Sequence, residues 1–99
     1  MNEILKIIEE RELYSHLILT KVFIGTNGRT NETYKGKLIT DLKQLFGDEF
    51  NLVTFNTATN FLYSKGYFNY PSCTHLTVSG RDYFENFIKN FKIKNRGDS

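Results

Sequence analysis

Cysteine, proline, tryptophan and histidine are scarce in this sequence, which has one Cys, one Pro, no Trp and two His among 99 residues. The single cysteine, Cys73, excludes an intrachain disulfide. His16 and His75 stand far apart in the sequence, so no ligand spacing for zinc is present, and no metal or cofactor is expected. Cys73 is expected either to pack or to lie in a turn without a role, rather than to react.

Long apolar runs are also lacking, and the first residues do not show the basic-then-apolar pattern of a secretory signal. We therefore expect a cytoplasmic protein with no membrane partner. The net charge is only +2, which by itself does not indicate a nucleic-acid partner. An enzyme is not expected, because no nucleophile–base pair, carboxylate dyad or phosphate-binding loop is recognisable, and the glycines of segment 25–29 are interpreted as part of a turn.

Aromatic residues, in contrast, are plentiful, with nine Phe and six Tyr. The length of the chain suits one domain with a modest core, to which these rings must contribute much of the buried area. We expect a single domain over residues 1–92. Residues 93–99 have little to bury and are expected to form a flexible basic tail.

Apolar residues recur at helical spacing in four segments, each of which predicts a helix. The first helix is expected to end near Leu13, and the second at Gly47, which can adopt a left-handed conformation. The third is expected to run from an N-cap at Thr54 to Gly66, and the last to begin with Ser79 as its N-cap. The apolar positions behind these predictions are Met1, Ile4, Leu5 and Ile8; Leu38, Ile39, Leu42, Leu45 and Phe46; Phe55, Ala58, Phe61 and Leu62; and Tyr83, Phe84, Phe87, Ile88 and Phe91.

Two further segments have a composition typical of β-structure. In residues 17–24, β-branched and aromatic side chains lead into a turn, and a second extended piece from Thr33 to Lys37 would complete a hairpin between the first two helices. The alternative for this link is one short strand followed by a mobile loop. Residues 67–70 and 74–78, separated by a turn at 71–73, predict a two-stranded wing.

The pattern Phe55-x-x-Ala58-x-x-Phe61-Leu62-x-x-x-Gly66-Tyr67, followed by Leu76-Thr77-x-x-Gly80-x-x-Tyr83-Phe84, resembles the small winged-helix proteins of the YjcQ type, which are often found in phages and prophages. The second part also resembles a step in the MarR and PadR regulators. The resemblance covers Phe55 to Phe91. It implies an α+β winged helix–turn–helix fold with three helices, a two-stranded wing and a C-terminal helix. It implies function less well, because winged helices bind either DNA or proteins.

In a winged helix that binds DNA, the third helix enters the major groove. Every outward side chain of this helix can form hydrogen bonds, and Asn is a natural partner for adenine. A solvated face in any Asn-rich protein would, however, look the same. The candidate nucleic-acid-binding residues are Asn56, Thr57, Thr59, Asn60, Tyr63 and Lys65, with Lys35, Lys37 and Lys43 of the basic link and second helix.

The positions of the positive charges weaken the case for DNA. The third helix has one cation, Lys65, and residues 67–78 have none, so phosphate contacts depend on whether the link from Lys21 to Lys43 lies beside this helix. The leading expectation is a small DNA-binding protein, a phage or mobile-element transcriptional regulator that dimerises through its C-terminal helix. The alternative is a winged-helix interaction module, a phage-encoded inhibitor or adaptor of a host protein, which the uncharged, Tyr-bearing wing favours.

Overall fold

Four α-helices form the framework of the structure, a computed structural model that describes residues 2–97. A short 3-10 helix, Gly47–Glu49, joins the second helix to the third. These residues contain no β-strand, so the described chain is all-helical, and the predicted α+β winged helix–turn–helix class is wrong. The helices are α1 (Asn2–Thr26), α2 (Leu38–Phe46), α3 (Leu52–Ser64) and α4 (Val78–Gly97).

The first helix is twice as long as the sequence pattern indicated. It passes Leu13 without interruption and ends at Thr26, after which Asn27 and Gly28 adopt positive φ angles of 54° and 73°. The predicted strand or hairpin between the first two helices is therefore wrong, and residues 27–37 form a loop. The buried side chains of α1 recur every three or four residues and are Tyr14, Ser15, Ile18, Leu19, Val22 and Thr26. This helical spacing of buried groups outweighs the β propensity of individual residues.

The core lies where α3 packs against the second half of α1. This is the most extensive contact between two helices in the described chain. Ile18, Leu19 and Val22 of α1 are fully buried there, and Ala58 and Leu62 of α3 are buried with them. With Phe55, which is also buried, Ala58 and Leu62 make up three of the four apolar residues of α3 that the sequence pattern assigned to the core. The first half of α1 extends beyond this contact and is largely exposed.

Polar caps set the start of two helices. Asn51, not Thr54, caps α3, because its Oδ1 accepts a hydrogen bond of 3.1 Å from the backbone N–H of Thr54. Thr77, not Ser79, caps α4, because its Oγ1 accepts a bond of 3.0 Å from the N–H of Gly80. The predicted end of α2 at Gly47 is confirmed, with a φ of 60°.

The segment predicted to be a two-stranded wing is a loop, residues 67–77. Phe68 and Leu76 form one isolated antiparallel bridge, and Asn69 N–H donates to the carbonyl of His75 at 2.9 Å. Both bridge residues are buried together with Cys73, which lies in the turn with a φ of 58°. Three inward side chains in so short a segment leave no room for a regular alternating strand on either side of the turn.

The C-terminal helix runs antiparallel to α1, because His16 stacks on Phe87 while Phe23, further along α1, contacts the earlier residue Phe84. It continues through Gly97. The predicted flexible tail, 93–99, thus begins inside this helix, and its last two residues lie outside the described part of the chain. Its flexibility stays a prediction.

Candidate nucleic-acid face and ligand cleft

The outward face of α3 carries most of the residues that sequence reasoning selected for DNA contact. Thr59 is the exception, because it is 8% exposed and its hydroxyl donates to the carbonyl of Asn56 at 3.0 Å. Its own carbonyl accepts a bond from the thiol of Cys73 at 3.3 Å, so the 67–77 loop covers this position. The prediction that Thr59 faces outward is wrong. The remaining selected side chains of this helix region are exposed and are Asn56, Thr57, Asn60, Tyr63 and Lys65.

Two of these residues, Asn56 and Asn60, lie one helical turn apart, and neither side-chain amide has a hydrogen-bond partner among residues 2–91, whose side chains the structure describes. The hydroxyl of Thr57 already donates to the carbonyl of Val53 at 2.9 Å. Packing of the opposite face of α3 on α1 fixes the backbone positions of the two residues. They are the groups on this face with the most unused hydrogen-bonding capacity.

The cations that sequence reasoning associated with this face lie in three places. Lys65 follows the end of α3, with its ammonium 5.6 Å from the centre of the Phe61 ring. Lys43 is on α2, 5.9 Å from the ring of Phe50. Lys35 and Lys37 are exposed in the 27–37 loop. Within residues 2–91, the part of the chain with described side chains, none of these four lysines forms an ion pair.

The loop that carries Lys35 and Lys37 is fixed through Tyr34. The backbone N–H of Tyr34 donates to the carbonyl of Thr74 at 2.7 Å, which joins this loop to the 67–77 loop. Its ring packs on Gly25 and Gly36, and its hydroxyl donates to the carboxylate of Asp41. Burial, with this hydrogen bond and the negative charge of Asp41, raises the pKa of Tyr34 to about 12. The basic link is thus anchored against the loop predicted to be the wing.

A cleft of about 330 Å³ lies between α1, α3 and α4. Its walls are mainly aromatic: the rings of Tyr67 and Tyr83 stack with centres 4.6 Å apart, and those of His16 and Phe87 stack at 4.3 Å. Phe61 of α3 contributes a further ring. A volume of this size is at the lower end of the range for small-molecule sites, which are typically apolar with a few polar groups.

The polar groups of the cleft come from one face of α1. The guanidinium of Arg11 lies over the ring of Phe61, 4.3 Å from its centre. Its Nε is buried, as is the hydroxyl of Ser15 one turn later, and neither atom has a hydrogen-bond partner in the described chain. His16 Nε2 and the hydroxyl of Tyr83, in contrast, are 3.2 Å apart and bond to each other.

Burial affects the ionisation of two cleft residues. It lowers the pKa of His16, an effect that the nearby charge of Glu12 opposes, so the imidazole is favoured in its neutral form. It raises the pKa of Tyr83, with smaller contributions in the same direction from Tyr67 and Glu12. The formal charges in the lining are those of Arg11, Lys65 and Glu12.

Sequence reasoning missed this cleft because it ended the first helix at Leu13. With residues 14–24 interpreted as an extended link, Arg11 and Ser15 had no common face. A continuous helix would have revealed it, since Arg11, Ser15 and Leu19 follow each other at intervals of four.

No protein-family model matches this chain, no curated protein is significantly similar to it, and no solved structure matches it. The resemblance to the YjcQ-type proteins therefore stays a prediction. Of the helices in residues 2–97, none is both long and apolar enough to cross a membrane. The same residues contain no group of three or more His, Cys, Asp or Glu side chains that could hold a metal ion.

Proposed function

We propose that this protein is a small cytoplasmic DNA-binding protein that reads duplex DNA with the outward face of α3 and regulates transcription in a phage or mobile element. The observation that carries this proposal is the pair of exposed amides of Asn56 and Asn60, which have no hydrogen-bond partner among the described side chains, those of residues 2–91. An Asn side chain can pair with both N6 and N7 of adenine in the major groove.

The spacing of the two amides suits this task. Residues four apart on a helix are separated by about 6 Å along its axis. Successive base pairs are separated by about 3.4 Å, so the two side chains match bases nearly two steps apart. Tyr63, the next exposed residue along the same face, adds a ring and a hydroxyl. Since the inner face of α3 is packed on α1, these groups need little ordering on binding.

Phosphate contacts come, in this proposal, from Lys65 and from the exposed cations of the link and α2, Lys35, Lys37 and Lys43. If each lysine neutralises one phosphate, the slope of log K against log salt is about −3.6, because each contact contributes about −0.9. This is a modest slope, consistent with a small net charge. Replacing Lys65 with Gln should reduce its magnitude by about 0.9.

The test begins with selection of bound sequences from a random duplex library at low salt, followed by fluorescence anisotropy on the enriched site. The double variant N56A/N60A should lose about 2–6 kcal/mol of binding, at about 1–3 kcal/mol for each contact with a base. This corresponds to affinity at least about 30-fold weaker. The matched control is N86A/N90A, an exposed Asn pair of the same spacing on α4, which should bind as the unmodified protein does.

Equal affinities for the two double variants would remove α3 from the role of base reader. Failure to enrich any sequence, with no salt-dependent binding to mixed duplexes, would remove DNA binding itself.

A protein-interaction module, such as an inhibitor or adaptor of a host protein, is the second candidate. It is favoured by apolar side chains around the turn between α2 and α3, where Leu45 is 59% exposed, Leu52 50% and Val53 74%. Exposed apolar groups clustered near one turn are typical of protein contacts. Binding to a purified host protein that is lost in Val53→Asp and kept in the control Ile24→Asp, with no DNA selected, would support this candidate.

Self-association would bring two α3 helices to one DNA site. Ile88 and Phe91 near the end of α4 are exposed, as are Ile4 and Leu5 near the start of α1. The sequence gives the first half of α1 an excess of Glu and the end of α4 an excess of Lys and Arg. Because α1 and α4 are antiparallel, these complementary segments lie toward the same end of the molecule. We therefore include a homodimer, formed through α4 and α1, in the proposed function.

A further inference from the structure

We propose that the cleft between α1, α3 and α4 binds a small aromatic carboxylate, whose oxygens accept hydrogen bonds from the guanidinium of Arg11 and the hydroxyl of Ser15. This site shares Lys65 with the proposed phosphate contacts, but its anchoring groups lie on α1 and it does not depend on DNA binding.

Buried polar atoms in folded proteins almost always have a partner, and a buried atom without one reduces stability. Here two such atoms, Arg11 Nε and Ser15 Oγ, line the same cleft one turn apart on α1. Ser15 is only 7% exposed. An Arg Nε can only donate, so the ligand must present an acceptor to it, and the Ser hydroxyl can donate to a second acceptor of the same group.

Arg11 and Lys65 give the lining two positive charges, and Glu12 gives it one negative charge. Burial lowers the pKa of His16 and disfavours a third positive charge. One net positive charge matches a monoanion, and a carboxylate has the planar pair of oxygens that an Arg side chain recognises. A doubly charged phosphate group would exceed this charge and would face Glu12.

About 330 Å³ is at the lower end of the range for small-molecule sites and suits a single ring with a short acidic group. The rings of Phe61, Tyr67, Tyr83 and Phe87 surround the space and favour stacked or edge-on contact with a flat ring. His16 Nε2 and the Tyr83 hydroxyl are already hydrogen-bonded to each other at 3.2 Å, so these two residues line the cleft without binding the acid group. Arg11 and Ser15 remain as the anchoring groups.

The experiment is an amide chemical-shift titration of the intact chain with benzoate, its neutral analogue benzamide, acetate and inorganic phosphate. Benzoate should produce saturable shifts at Ser15, His16, Phe61 and Tyr83, with a Kd below about 1 mM. Benzamide and acetate should each bind at least about tenfold more weakly, since one lacks the charge and the other the ring. Equal shifts with benzamide, or phosphate binding as tight as benzoate at the same amides, would overturn the assignment.

Two variants test the anchoring groups. Ser15→Ala and Arg11→Gln should each weaken benzoate binding about tenfold, whereas Arg29→Gln, a change in an exposed loop, should leave it unchanged. Ser15→Ala removes a hydroxyl that has no partner, so its thermal midpoint should equal or exceed that of the unmodified protein. Unchanged benzoate affinity in Ser15→Ala would exclude the proposed role of Ser15, and failure of all four probes to shift cleft amides would exclude the site.

Discussion

Gly80, in the first turn of α4, gives the sharpest test of the fold because two physical effects predict opposite signs there. Helix propensity alone predicts that Gly80→Ala stabilises the protein by about 1 kcal/mol. In the structure, however, a Cβ at this position would overlap the backbone carbonyl of Tyr67. That carbonyl accepts a hydrogen bond from Thr77 N–H at 3.1 Å, so the backbone of the 67–77 loop has to move.

The magnitude follows from the contacts that such a movement disturbs. Overpacking costs about 1–3 kcal/mol. Weakening the bond from Thr77 to Tyr67 costs about 0.5–1.5 kcal/mol, and disturbing the Thr77 cap costs about 0.5–2 kcal/mol. After the gain in propensity is subtracted, we expect a loss of about 1–5 kcal/mol in the free energy of unfolding. A loss of this size is a large fraction of the stability of a small domain.

The assay is equilibrium denaturation in urea, monitored by circular dichroism, with Ser79→Ala as the control. Ser79 is the exposed neighbour that the sequence pattern selected as N-cap, and its replacement should change stability by less than about 0.5 kcal/mol. A Gly80→Ala variant as stable as the unmodified protein, or more stable, would refute the packing of Tyr67 against the start of α4.

Three other predictions concern caps, the buried thiol and self-association. Asn51→Ala should lower the free energy of unfolding by about 1 kcal/mol in urea denaturation, and Thr54→Ala by clearly less, because Asn51 is the cap; the reverse order would contradict this. Burial raises the pKa of the Cys73 thiol to about 12 from 9.0, so the stability contributed by burying the neutral thiol is complete below pH 9 and is lost as the pH rises toward 12. The folded protein should therefore react negligibly with thiol reagents at pH 8, and rapid labelling would argue against burial. Phe91→Ser should shift sedimentation toward the monomer, whereas Ile24→Ser should not; a monomeric unmodified protein would remove the proposed dimer.

The helices that sequence reasoning located well are those with distinct apolar stripes and glycine stops. In α3, Phe55, Ala58 and Leu62 are buried as expected, and Gly66 follows the helix with a φ of 79°. In α2, Leu38 and Leu42 are buried and Gly47 ends the helix. Such signals are local, since spacing and a stop residue are visible without knowledge of the rest of the chain.

The predictions that are wrong concern segments whose secondary structure is decided by tertiary packing. Val22, Phe23 and Ile24 have high β propensity, yet Val22 is buried at helical spacing from Ile18 and Thr26. The aromatic run around Phe68 resembles a strand, but its inward side chains reach the core through a loop with a single bridge. Neither result can be derived from local propensity, which tertiary context overrides.

Because these two segments were predicted to be extended, much of the candidate site could not be predicted from the sequence. The cleft anchored by Arg11 and Ser15 requires α1 to be continuous, and the burial of Thr59 requires the 67–77 loop to lie over α3. The exposed amides of Asn56 and Asn60, in contrast, followed directly from the stripe that was assigned to the core.

The measurement that tests the central claim most directly is an amide chemical-shift titration of the protein with its selected duplex. If α3 reads DNA, we expect saturable, salt-dependent shifts concentrated at Asn56, Asn60 and Tyr63 on its outward face. The amides of Asn86 and Asn90 on α4 should stay unchanged. Shifts confined to α4 or to the cleft, or no shifts at low salt, would contradict the proposal that α3 reads DNA.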